Sequence, residues 1–140
     1  MKVNKLYFYN LVSYATLIVI AICAFWLVYP YKPLVFNTNP AQVTQKIVKG
    51  GDHLQIEVDY CKNTDKMAVS TVTFIDGVVY STTPIITNME PGCHKVTLSV
   101  YVPKSLPAGQ MHIKNVFRYD MNPLRHVDVT MTTESFTIVK

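Results

Sequence analysis

"HLQIEVDY" (53–60) alternates without a break, placing Leu54, Ile56, Val58 and Tyr60 on one side of an extended chain and Gln55, Glu57 and Asp59 on the other. A helical winding would scatter these apolar residues around its axis, so the run reads as a strand with one buried face. The same period returns downstream. "KVTLSVYV" (95–102) keeps Val96, Leu98, Val100 and Val102 in phase, and "MHIKNVFRY" (111–119) does so with Met111, Ile113, Phe117 and Tyr119, interrupted by Asn115. "VDVTM" (127–131) adds Val127, Val129 and Met131, and "FTIV" (136–139) is a further short run. Turn signals separate the runs: Gly50-Gly51-Asp52, "PKSLPAG" (103–109), and Asp76-Gly77 between "VSTVTFI" (69–75) and "VVYSTT" (78–83), a hairpin signature. About seven strands and no amphipathic helical period predict an all-β, antiparallel β-sandwich over residues 43–140.

Strict antiparallel order also predicts a polarity. The turns near 50–52, 76–77 and 103–110 share one end, and loops 61–67, 87–93 and 120–126 share the other, where the chain enters if Val43 opens the first strand.

Upstream the composition changes. From Leu6 to Tyr29 there is no charged residue, and such a run wound as a helix is roughly 36 Å long, enough to cross a ~30 Å hydrocarbon core. Residues 6–29 are therefore expected to form one transmembrane helix in contact with lipid. Tyr7 and Tyr9 at one end, and Trp26, Tyr29 and Tyr31 at the other, are the expected interface anchors. Of the 13 basic residues in the 140-residue chain, Lys2 and Lys5 precede the span, leaving 11 against 9 acidic ones after it. The lysine bias puts a stub, residues 1–5, in the cytoplasm and the remainder outside. The implied location is the inner membrane, single-pass, with the carboxyl-terminal domain periplasmic or otherwise extracytoplasmic. Small residues at Ala21, Cys23 and Ala24 are followed by "FWLVY", so cleavage there would leave a new terminus that is still strongly apolar. Retention as a signal anchor is expected. Ile22 occupies the position where a lipoprotein signal has a small residue, and Cys23 reads as an apolar filler. Pro30, Pro33 and Pro40 mark residues 30–42 as a short, stiff stalk.

Cys61 closes one strand and Cys93 opens another at the same expected end. Outside the cytoplasm the two form a disulfide by default, which closes a loop worth roughly 3–4 kcal/mol on the chain-entropy account.

"LPAGQMHIKNVFRY" (106–119) resembles the Leu-x-x-Gly-x-Tyr approach to the penultimate strand of immunoglobulin-like domains. The resemblance implies an immunoglobulin-like sandwich carried on an amino-terminal anchor. Met111 stands where the pattern has tyrosine, and the one tryptophan lies in the anchor. Cys93 comes too early in strand order for the usual inter-sheet bridge. An anchored sandwich this small also resembles envelope proteins that bacteria and their phages encode, and no narrower family is implied.

A single helix followed by a sandwich is similar, too, to the second subunit of haem-copper oxidases and to copper chaperones. Those need soft ligands close together, whereas Cys61 and Cys93 stand 32 positions apart. Met111 and Met131 point inward by alternation while His112 points out, so core filling is their expected role and a copper-handling accessory protein is the remote alternative. No hydrolase motif occurs, and the alternating carboxylates read as solvent-facing. The expectation is no enzyme, no cofactor and no metal. Without a Lys/Arg cluster beyond the span, no nucleic acid is expected either.

Surface recognition is what remains. "DMNPLRHVD" (120–128) sets Met121, Leu124, Arg125 and His126 around Pro123, and "ITNMEPG" (86–92) presents Met89 at the same end; these are the candidate contacts for a protein partner. Edge-strand pairing is a second route. The expected role is a membrane-anchored binding or accessory module in an envelope, secretion or phage-related assembly. The alternative is a structural virion or membrane-lesion component that homo-oligomerises through Asn10, Ser13 and Thr16 on the helix.

Overall fold

The computed structural model describes residues 5–140; Lys2 and most of the expected cytoplasmic stub lie outside them. The chain divides into two units, one holding the residues up to Tyr31 together with Asn122–Arg125, the other Lys32–Met121 with His126–Lys140.

In the first unit, helix α1 spans Lys5–Val28. Its apolar side chains point in every direction, none of its apolar window is buried by protein, and it is long and apolar enough to cross a membrane. Pro30 and Pro33 follow directly, and the last turn closes with the Tyr29 amide donating to the Phe25 carbonyl at 2.9 Å.

The second unit contains the strands: β1 (Leu34–Phe36), β2 (Gln42–Val43), β3 (Ile47–Lys49), β4 (His53–Lys62), β5 (Ala68–Ile75), β6 (Val79–Ser81), β7 (Ile85–Thr87), β8 (Gly92–Tyr101), β9 (Gly109–Asn122), β10 (Arg125–Thr132) and β11 (Phe136–Val139), the β9–β10 tip belonging to the first unit. They form two sheets. In the first, β4 is central, with β8 antiparallel on one side and the short β1 and β2 on the other. In the second, β9 is central: β5 flanks it on one side, carrying β6 and β7 beyond, and β10 and β11 flank it on the other, with β3 parallel to β11 outermost.

The alternating runs do what their period predicts. Leu54, Ile56 and Val58 are wholly buried, and Met111, Ile113, Phe117 and Tyr119 meet them in one core with Phe74, Phe136 and Ile138. Phe36 of β1 stacks at 5.5 Å on Phe117 of β9, one sheet against the other. Asn115 does not break the inward phase. It is buried, and its Oδ1 accepts from Ser70 Oγ at 2.8 Å, so a polar pair is satisfied inside the core. The Asp76-Gly77 hairpin joins β5 to β6 with Gly77 at φ +104°, a conformation that suits glycine.

Two expectations are corrected. The chain has more, shorter strands than about seven, because the flanks of β4, β5 and β9 are each built from two pieces. And residues 30–42 are not a free stalk: Leu34–Phe36 pair with Tyr60–Lys62, and Ala41 bridges to Thr133. Pro33, Leu34 and Ala41 are buried, so core burial captures a segment that its prolines mark as a spacer.

Candidate functional site

The loop polarity read from sequence holds in the second unit. Lys62 continues the even phase of β4 and is buried, its Nζ donating to the Met89 carbonyl at 2.6 Å and reaching Asn88 Oδ1 at 3.5 Å. Lys66 Nζ donates at 2.7 Å to the carbonyls of both Asp120 and Met121. Loop 61–67 is thus tied to residues 88–89 and to residues 120–121 by two lysines that serve as hydrogen-bond clips. Tyr60 and Tyr119 lie beneath them. Burial, and secondarily the charge of Tyr60, pushes the Tyr119 phenol up to about 12; Tyr60 is raised by burial and then by the Glu90 carboxylate.

The predicted contact residues fare differently from one another. Met89 and Met121 are half-buried, each packing in part against the core. Leu124 is 59% exposed, and His126 is exposed. Arg125 is half-buried, and its guanidinium donates to the Tyr29 carbonyl within the first unit. Among the expected interface anchors, Tyr7, Tyr9, Trp26 and Tyr29 are exposed on and just beyond α1, while Tyr31 is half-buried. Met111 and Met131 are buried, as their phase requires. Cys23 is unpaired. Among the described residues no three His, Cys, Asp or Glu side chains stand close enough to hold a metal ion.

Cys61 and Cys93 form a disulfide between directly opposed positions of β4 and β8, their Cα atoms 4.0 Å apart, a bond that fits an extracytoplasmic domain. It lies on the outer face of the first sheet and begins a ladder of pairs across it. Glu57 meets Lys95 at 3.4 Å, Gln55 Nε2 donates to Ser99 Oγ at 3.3 Å, and the His53 and Tyr101 rings lie 5.5 Å apart. Opposed pairs, and diagonal ones such as Glu57–Lys95, are the unit of sheet stabilisation, and this ladder runs from Cys93 to Tyr101 along β8.

Beyond β8 the sheet stops. Between its last residues and the β6–β7 connection opens a groove of about 640 Å³, lined by Val72, Ser81, Thr82, Thr83, Ile85, Ser99, Val100 and Tyr101 with His53 and Pro103. Its rim is apolar and exposed, with Ile85 at 59% and Tyr101 at 50%. No residue of this groove stands out in the sequence except by the length of the alternating run 95–102. Grooves with apolar walls and a few hydroxyls are the usual form of a recognition site.

On the outer face of the second sheet, Arg118 grips Asp128 with two hydrogen bonds of 2.9 Å. This bond holds the Asp128 carboxyl below its usual range and raises the guanidinium. Both groups are solvent-facing, so the pair orders the surface more than it stabilises the fold.

The chain matches no protein-family model and no curated protein sequence. A functional reading therefore stands on its helix, its disulfide and the free edge of its first sheet.

Proposed function

We propose that this chain is a single-pass membrane protein, its amino terminus in the cytoplasm, whose strand body is an extracytoplasmic immunoglobulin-like sandwich that acts by binding another protein. Its setting is an envelope, secretion or phage-related assembly at the inner membrane. The observation that carries the reading is the contrast between α1, uncharged from Leu6 and exposed all round, and a body that closes its own core yet leaves an apolar groove open. Strand order supports the fold assignment: β1–β2, β4 and β8 correspond to strands A, B and E of such domains, and β5, β9 and β10–β11 to C, F and G. The disulfide departs from the pattern by joining two strands of one sheet.

The test places a photo-crosslinking residue at Leu124, Ile86 or Tyr101 of the full-length chain in native membranes. Adducts with a different protein from at least one position are expected, along with digestion of the body by protease added from the extracytoplasmic side. Adducts only with its own kind, formed through α1, would replace this reading with the structural oligomer. Recovery of a soluble form that begins beyond Ala24 would remove the anchor.

A further inference from the structure

Hydrogen-bond phase identifies what the edge of β8 has to offer. In β4 the odd residues face β1 and β2: the carbonyls of Gln55 and Asp59 accept from the amides of Thr44 and Asn37, and the Asn63 amide donates to the Pro33 carbonyl. The even residues of β4 therefore face β8, and by the antiparallel register they bond the even residues of β8. This leaves the amides and carbonyls of Cys93, Lys95, Thr97, Ser99 and Tyr101 directed away from the sheet. All five residues are exposed, and among the described residues β8 pairs with β4 alone.

Natural sheets blunt such edges with short strands, charges or covering loops. The other edges of this body follow the rule. β1, β2, β3, β6 and β7 are two or three residues each. The eight-residue β10 is covered at one end by Asn39 and Ala41, which bond Thr132, and carries Asp128 and His126 along its length. β8 has ten residues, and its single outward charge, Lys95, is turned toward Glu57.

We propose that β8 is a strand-addition site: an extended, uncharged segment of a partner protein pairs with Cys93–Tyr101 and sends alternate β-branched or aromatic side chains into the groove beside Ser99–Tyr101. This rests on the binding reading above and names its mode. The occupant's chemistry follows from what it meets. The backbone row wants a strand, and the groove wall of Val72, Val100 and Ile85, with the hydroxyls of Ser81, Thr82 and Thr83, has no carboxylate or amine to balance a buried charge; the imidazole in its lining, His53, lies against the Tyr101 ring at 5.5 Å. A second copy of the chain is the competing occupant, and the concentration dependence below separates it from a partner protein.

The test uses the full-length chain in nanodiscs. The probes are synthetic twelve-residue peptides that alternate Thr with Val, Ile or Phe, each paired with a version N-methylated at every second residue. Hydrogen exchange at Lys95, Thr97, Ser99 and Tyr101 is expected to slow at least tenfold with an unmethylated peptide, while Val96, Leu98 and Val100 stay as they were. Methylation should weaken binding at least tenfold. Thr97→Pro, which deletes an amide the fold does not use, should do the same, and Tyr101→Asp provides a second variant that leaves the strand hydrogen bonds intact. The inference is overturned if no peptide slows these amides, if protection falls on β10 instead, or if it rises with protein concentration without peptide, which would make a second copy the occupant. Heterologous crosslinks at Leu124 with an unprotected β8 would leave the binding reading standing and remove only this mode. A protected β8 in a chain that yields no heterologous crosslink in membranes would do the reverse.

Discussion

Ile20 on α1 and Ile56 on β4 are the same side chain in opposite surroundings, the first 58% exposed and the second wholly buried. The difference lies in how each segment meets its backbone and its apolar surface. A helix satisfies its own hydrogen bonds, so one that is apolar on every side needs only an apolar solvent. A strand satisfies nothing by itself: β4 must borrow β1, β2 and β8 for its backbone and a second sheet for Leu54, Ile56 and Val58. One region is thus long and apolar enough to cross a membrane, and the other builds its own interior. Apolar content alone does not tell them apart; period does.

The strongest way to break this comparison is to make one deletion in both places. Ile56→Ala should cost the body about 2–5 kcal/mol through lost contacts and a cavity, read as a lowered denaturation midpoint of the full-length chain in detergent. Ile20→Ala should leave that midpoint in place. A body indifferent to Ile56→Ala would mean that the core is not where the alternation puts it. Next in size, Ile20→Asp should raise the cost of membrane insertion by about 2.5–3.5 kcal/mol, seen as a shift of the protein from the membrane to the soluble fraction. Unchanged partitioning would deny α1 a lipid environment. Smaller again is Ser70→Ala, which strands Asn115 Oδ1 inside the core at a cost of roughly 1–3 kcal/mol, whereas the paired replacement Ser70→Ala with Asn115→Val should recover much of it.

The last effect is silent at neutral pH. Tyr119 titrates near 12 in the fold against 10 in the open chain, so its raised value gives stability that is whole below pH 10 and drains away as pH rises toward 12. Tyr119→Phe should flatten the stability profile in that window and leave it unaltered at pH 7. An identical alkaline limb in both proteins would show that the phenol does not experience the burial seen here.

How much of this was legible depends on the range of the force involved. Leu54, Ile56, Val58 and Tyr60 announce their burial because a strand repeats every two residues. Lys62 was readable by the same rule, since it continues the even phase that a basic side chain would be expected to leave. Leu34–Phe36 carried no such signal: three residues are too few to show a period, and their prolines point to a spacer. Met89 is alike in this: a loop residue has no phase, so whether it is surface or core is decided by what folds over it, whereas Met121 continues the odd, inward phase of β9 after Phe117 and Tyr119.

The sequence by itself determined the uncharged helix, the alternating runs, the Asp76-Gly77 hairpin and the placing of both bridging cysteines at one end, because each rests on local spacing and side-chain type. Only the tertiary structure decided which strands are neighbours, and with that the cross-strand position of the Cys61–Cys93 bond, the capture of residues 34–36 and 41, and the unpartnered row along β8. Pairing partners are chosen by contacts between residues far apart in the chain, where loop closure and shared burial outweigh any preference that a short stretch can express.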